Sequence, residues 1–350
     1  MSSLTVLISG AGVAGPTLAE LLTRSGHRVT IVERAPALRH TGYAVDFRGA
    51  AFEVLSELGI LDDVRRHDTK MTGTAIVDRG GVQVDLLPAE AFADELEVPK
   101  HVLNELLHDL TADHVEYRFG TSITSLTQAE DAVTASLTDG STETYDLVFG
   151  ADGVYSKVRQ LAFGSAALQH LGLSGAGFTM PNFLGLDHSG LLRAVDGTAV
   201  YLFNSADPDR LTVSLSFGTS SGALDRLPRA DQEAATRAAF AGDAWHTRRL
   251  LEAMSEAQDF YFSSSTQVHL DHWSIGRVAL VGDAGYCAAP TAGMGTSQAL
   301  LGARSLTRHL ADSAYPEAFA SYETELRPYV AENQANGRSA AAMFGGAREG

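Results

Sequence analysis

Cysteine is almost missing from this sequence: Cys287 is the only one in 350 residues. One thiol excludes an intrachain disulfide and a thiolate metal cluster, and fits a reducing, cytoplasmic setting. Long apolar runs are missing as well. No window reaches the roughly 18–20 apolar residues that span a bilayer, and the opening MSSLTVLISGAG has no basic stretch leading into an apolar core. Neither membrane insertion nor export is expected. Positive charge is scarce, with 26 Lys and Arg against 43 Asp and Glu and a formal net charge of -17. Nucleic acids are gripped by clustered Lys and Arg that release counterions, so no nucleic-acid partner is expected. The acidity reads as a solvated surface. Repeats, heptads and low-complexity linkers are also lacking.

What remains is an ordinary globular composition, 45% apolar and 20% charged. The length suits two domains of about 100–200 residues each.

Leu4 to Ser9 is a continuous aliphatic run, the mark of a strand buried on both faces. Gly10 to Gly15 turns the chain, Val13 to Arg24 has helical apolar spacing that stops at Gly26, and Arg28 to Glu33 is a second buried strand. Together they make a β-α-β unit. Helices are expected over Gly49 to Leu58, Leu61 to His67 and Lys100 to Leu110, a hairpin around Arg79-Gly80-Gly81, and strands at Val115 to Phe119 and Leu147 to Phe149. From about Gly172 to Val268 short alternating strands dominate, notably Thr198 to Asn204 and Arg210 to Gly218, with two helices between Ala230 and Glu256. Arg277 to Val281 is again an apolar strand, followed by a helix to about His309 and a terminal helix from Tyr315 past Val330. The expected architecture is α/β: a Rossmann-like domain assembled from residues 1–70, 98–167 and 272–350, including a C-terminal helix. A mainly antiparallel sheet domain from residues 71–97 and 168–271 is inserted into it.

The first motif is Gly10-x-Gly12-x-x-Gly15. Gly10 permits the tight turn, Gly12 leaves room for a pyrophosphate, and Gly15 lets helix and strand pack closely. Val13 and Ala14 open a helix whose free N–H groups attract an anion. Glu33, ending the second strand, is placed to accept hydrogen bonds from an adenosine ribose; Arg34 either stacks on the adenine or stays in solvent. This motif alone does not separate FAD from NAD.

Two later segments do. Tyr145-Asp146-Leu147-Val148-Phe149-Gly150-Ala151-Asp152-Gly153-Val154-Tyr155-Ser156-Lys157-Val158-Arg159 resembles the Asp-Gly motif of class A flavoprotein monooxygenases, the para-hydroxybenzoate hydroxylase family. Gly276-Arg277-Val278-Ala279-Leu280-Val281-Gly282-Asp283-Ala284, with Pro290-x-x-Gly293-Met294-Gly295 after it, resembles that family's Gly-Asp motif. With the glycine fingerprint, the resemblance spans nearly the whole chain. It implies a GR2-type FAD-binding domain, with NADPH or NADH as a transient co-substrate that has no nucleotide domain of its own. Dioxygen would form a flavin C4a-hydroperoxide that transfers one oxygen atom to an aromatic or polycyclic small molecule. Asp283, beside Gly282, would hold a ribityl hydroxyl or else cap a helix, and the amides from Pro290 to Gly295 would face the isoalloxazine unless the glycines there serve only the turn. Asp152 is either an FAD contact or the cap of a helix starting near Ser156. Lys100 stands where the family commonly has Arg, which keeps the charge and loses the forked geometry. Arg39 and Arg48 lie in a loop that passes the flavin in the family, or are simply solvated.

Three other features read as structure. Cys287 beside the flavin loop reads as a small buried hydrophobe. The pair His269-x-x-His272 lacks a third ligand, so no metal is expected. Gly218-Thr219-Ser220-Ser221-Gly222 matches a hydrolase elbow in letters but has no helix signal after it.

For the substrate, the candidate walls are Arg193, Phe203, Arg210 and Phe217 from the inserted sheet, and Tyr43, Asp46 and Phe47 from the loop after Arg39. The compact length and Tyr201-Leu202-Phe203-Asn204, followed by Asp207-Pro208, resemble tetracycline-degrading monooxygenases and small antibiotic-pathway hydroxylases. That implies a polyketide-like natural product. Baeyer–Villiger insertion, double-bond reduction, halogenation or binding of an unstable intermediate without turnover remain open on the same fold. Halogenation is the weakest, because Trp245 and Trp273 are isolated and no Trp-x-Trp occurs. A monomer and a homodimer are equally compatible with the sequence.

Overall fold

The structure is a computed structural model and describes residues 3–38, 44–88, 96–164, 167–205 and 207–343. Its first sheet has six strands in the order Ser274–Ile275, Val278–Leu280, Leu147–Gly150, Thr5–Ser9, Arg28–Glu33, Glu116–Phe119. All neighbours run parallel except the Ser274–Ile275 edge. Thr5–Ser9 is central, so alternate residues feed two cores: Val6 and Ile8 join one cluster, Leu7 the other. A strand buried from both sides cannot afford a polar face, and this explains the unbroken aliphatic run.

The larger core is closed by helices Ala14–Arg24, Gly295–Asp312 and the early part of Tyr315–Met343. The smaller core lies under a three-stranded antiparallel sheet, Thr142–Tyr145, Val133–Leu137 and Ile123–Gln128. A two-stranded ribbon, Ala44–Phe47 against Leu96–Pro99, turns Val45, Phe47, Leu96 and Val98 into the larger core. Asp46 and Glu97, directly opposite each other, take the ribbon's other face. The boundary expected at 97/98 falls inside this ribbon.

A second sheet of seven strands has the order Tyr261–His269, Ala167–Pro181, Arg210–Gly218, Thr198–Asn204, Ser189–Val195, Gly73–Val77, Gln83–Pro88. It is antiparallel apart from the Ser189–Val195/Gly73–Val77 junction. Helices Arg229–Ala239 and Thr247–Glu256 cover one face over Phe178, Val200, Leu202, Val213, Leu215 and Phe217. Tyr201, Phe203, Thr212 and Ser214 alternate with these and stand on the opposite face.

The terminal helix runs further than its apolar signal, from Tyr315 to Met343 with Pro328 inside it. A Cβ on Gly337 would overlap the carbonyl oxygen of Ala288, and Thr291 Oγ1 donates to the carbonyl of Gly337 at 2.9 Å. Gly337 therefore lets this helix lie against the loop between Cys287 and Gly293, where Gln334 also donates to the carbonyl of Cys287 at 3.3 Å.

Candidate functional site

Thr5–Ser9, Leu147–Gly150 and Val278–Leu280 are adjacent and parallel, with Ser9 level with Gly150 and Gly150 level with Leu280. Their carboxyl ends, and the three motifs that follow them, consequently sit side by side. This is where an open parallel sheet holds a ligand.

The glycines of the first motif differ in what surrounds them. Gly10 has a φ of 111°, and a Cβ there would lie 2.7 Å from Ala151 C and 2.9 Å from the Cα of Asp152. The first and second motifs thus touch backbone to backbone. A Cβ on Gly15 would overlap the carbonyl oxygen of Gly10, whereas one on Gly12 would meet nothing within 4 Å. Gly10 and Gly15 serve packing; Gly12 alone keeps space open at the helix start.

That helix, Ala14–Arg24, has Val13 at its N-cap position, no side-chain cap and no acid in its first turn. Gly295–Asp312, with Met294 at its N-cap position, is likewise uncapped and has no early acid. Gly282, with a φ of 66°, sits between them: its Cβ would lie 3.2 Å from Ala14 Cβ and 3.6 Å from Ala299 Cβ. Two positive helix ends therefore begin next to one glycine. Asp283 is half-buried beside them, Oδ1 lying 3.7 Å from a Cβ built on Gly295. Pro290 and Gly293 are exposed, so the loop backbone is accessible. Glu33 is held at the strand end by the amides of Ala11, at 3.0 Å, and Ala35, at 2.8 Å. Arg34 is exposed, and Lys100 is half-buried at the start of helix Lys100–Thr111.

The Asp-Gly segment anchors a helix, as one of its two expected roles requires. Asp152 accepts from Ser156 Oγ at 2.5 Å and from the amides of Lys157 at 2.7 Å and Val158 at 3.2 Å. Oδ2 caps two amides of helix Lys157–Phe163 while Oδ1 holds the N-cap hydroxyl of Ser156, and burial, outweighing these bonds, raises the Asp152 carboxyl above the ordinary value. Arg159, 2% exposed, donates to the carbonyls of Ala284 at 2.7 Å and Val154 at 2.5 Å. It ties the second motif to the third. The sequence signals this only as the last letter of the Asp-Gly segment.

The ribbon links this crevice to the second sheet. Asp46 Oδ2 lies 3.6 Å from a Cβ built on Gly293, and Tyr201 feels the charges of both Glu97 and Asp46. Burial raises the Tyr201 phenol and also the Glu97 carboxyl, although Thr69 Oγ1 donates to the latter at 2.5 Å. Tyr201 stacks on Phe203 with centroids 5.0 Å apart. The open face of the second sheet therefore looks across the ribbon to the Gly293 loop. Phe203 and Asp46 of the expected walls are on this side.

Four of the expected wall residues are not. Phe47 is fully buried in the larger core, because Asp46 takes the cavity side of the ribbon. Phe217 packs under the helices, one residue out of phase with Ser214 and Ser216. Arg193 points the same way, gripping Asp243 at 2.7 and 2.9 Å and lying over Trp245. Arg210 is exposed at a strand end, donating to Thr179. Arg39 and Tyr43 lie outside the described residues, and Arg48 donates its amide to Ser297 Oγ at 3.2 Å. The sequence reading missed Tyr201, which its spacing of two from Phe203 could have revealed, and Glu97, for which there was no local signal. Cys287 is buried, and burial pushes its thiol up. Among the described residues no group of three metal-ligating side chains occurs, and no helix is long and apolar enough to cross a membrane.

A strand-end crevice with one open glycine, two uncapped helix starts and anchored acids fits FAD. The FAD binding domain family matches residues 3–336. The chain belongs to this family of flavin-dependent monooxygenases. A Mycobacterium tuberculosis protein without an assigned activity is 39% identical over 94% of this chain and 91% of its own. A flavin-dependent monooxygenase of Legionella longbeachae is 36% identical over 95% of this chain and 87% of its own. Among solved structures, the tetracycline destructase Tet(51) superposes with a TM-score of 0.89 at 34% identity, over 98% of this monooxygenase and 92% of its own chain.

Proposed function

We propose that this FAD-dependent monooxygenase consumes NADPH or NADH and dioxygen to insert one oxygen atom into an aromatic or polycyclic small molecule of the natural-product type. When bound, FAD supplies the electron transfer and the oxygen activation. The chain's own residues bind and orient. The amides at Gly12 to Gly15 receive the pyrophosphate, Glu33 the adenosine ribose, Asp283 a ribityl hydroxyl, and the backbone from Gly293 to Gly295 the pyrimidine edge of the ring. Asp152 and Arg159 hold those segments in register. Asp46 stands between the flavin loop and the substrate, which rests on Tyr201 and Phe203. Burial raises the Tyr201 phenol, so it stays protonated at working pH.

The observation that carries this reading is the open sheet face, bearing a stacked Tyr201–Phe203 pair, opposite the exposed Gly293 loop. The kinship with a tetracycline destructase supports a polycyclic substrate. The test is NAD(P)H oxidation by the yellow holoprotein across phenolic and polyketide compounds, with product masses. Acceleration by a polycyclic compound, with a product one oxygen heavier, is expected; oxidation that no such compound accelerates refutes the reading. Asp283→Ala should lose FAD occupancy, and full occupancy in that variant refutes its assignment.

A further inference from the structure

Glycine inside a strand weakens it, and usually marks a place where something must come close. The open face of the second sheet carries Gly175, Gly177 and Gly190; the first is crowded by Leu215 and Ser216 of the next strand, the other two by tyrosine rings. A Cβ on Gly190 would lie 2.9 Å from Tyr201 Cε2 and 2.7 Å from Thr74 Oγ1. A Cβ on Gly177 would fall within the ring of Tyr261. Neither glycine has a left-handed backbone, and neither lies at a register shift. Turn geometry does not account for them; each is a seat for a tyrosine ring.

The register puts the rings in one row. Tyr261 pairs with Gly177, Gly177 with Ser214, Ser214 with Tyr201, and Tyr201 with Leu192. Three strand spacings, about 14 Å, separate the chains that bear the two tyrosines. Between them the floor carries hydroxyls, Ser214 in the same row and Thr212 in the next. Phe203, stacked behind Tyr201, stiffens that wall.

We propose that Tyr201 and Tyr261 are the two walls of a substrate trough, and that two glycines determine specificity: Gly190 lets the Tyr201 ring lie back, and Gly177 lets the Tyr261 ring lean in over the floor. The trough takes flat, fused-ring molecules with oxygen substituents on the edge turned toward Ser214 and Thr212. This rests on the assignment of the open face as the substrate side. A methyl at Gly190 must push the Tyr201 ring inward, because Thr74 blocks the other side. Removing the Tyr261 ring opens the far wall.

The test uses the FAD-loaded protein with tetracycline as the four-ring probe and 2-naphthol as the two-ring probe, each titrated against the flavin spectrum. In Gly190→Ala and in Tyr261→Leu, tetracycline should bind about 10- to 100-fold more weakly, as pocket misfits of a methyl or more do, while 2-naphthol changes less than about threefold. An equal shift for both probes, or none, overturns the proposal, since packing alone would not discriminate between them. Thermal melts check the seat itself: Gly177→Ala should be costly alone and nearly free in a Tyr261→Ala background. Equal cost in both backgrounds overturns it too. If neither probe perturbs the wild-type flavin, the assignment of the substrate face has failed, and the trough falls with it.

Discussion

Gly12 and Gly15 belong to one fingerprint, yet the structure assigns them opposite sensitivities. Gly12→Ala places a methyl where no atom lies within 4 Å, on a backbone that is not left-handed. The apoprotein should tolerate it, with a stability change within about 1 kcal/mol and on the stabilising side, because the unfolded chain loses freedom. The same methyl occupies the approach to the helix amides. Losing one hydrogen bond to a charged phosphate, about 1.5–3 kcal/mol, corresponds to FAD binding about 10- to 150-fold weaker. In Gly15→Ala the methyl overlaps the Gly10 carbonyl, so helix and strand must separate. Overpacking of this kind costs about 1–3 kcal/mol, and FAD binding should fall with it. The assay is urea denaturation of the apoproteins beside FAD titration by fluorescence quenching. Wild-type affinity in Gly12→Ala, or wild-type stability in Gly15→Ala, refutes the division of labour.

Further predictions concern the scaffold. Arg159→Met strands the carbonyls of Ala284 and Val154 and should cost about 2–4 kcal/mol in urea denaturation; an unchanged midpoint refutes the clamp. At Asp243 burial acts to raise the carboxyl, but Arg193 and Thr247 outweigh it and hold it below the ordinary 3.8. Its contribution is present above that value and lost as pH falls through the depressed one, so Asp243→Asn should flatten the acid limb of the melting curve while leaving substrate KM unchanged. Glu97 has the opposite sign: burial raises its carboxyl above 4.5, so the folded form binds the extra proton and stability falls as pH rises from 4.5 through the raised value. Glu97→Gln should remove that loss, and melts that stay parallel to wild type across this window refute it.

Local grammar carried the first sheet. An aliphatic run, a glycine fingerprint and a second run can form little else than a β-α-β unit, because each element's signal lies within its own residues. The Gly282 and Pro290–Gly295 segments were legible for the same reason. Face assignment in the second sheet was not: Phe203 and Phe217 look alike in sequence, and only the covering helices make one face core and leave the other open. The ribbon strand Leu96–Pro99 also escaped, since four residues whose partner is remote carry too short a period to read.

The sequence by itself therefore determined the β-α-β unit and the glycine turns that follow its parallel strands, because glycine positions and strand ends act over short distances. Tertiary structure alone decided that Asp152 is a helix cap, that Arg193 turns away from the cavity, and that Glu97 meets Asp46. Those outcomes depend on which remote element arrives to offer a partner, and that is set by packing rather than by neighbours in the chain.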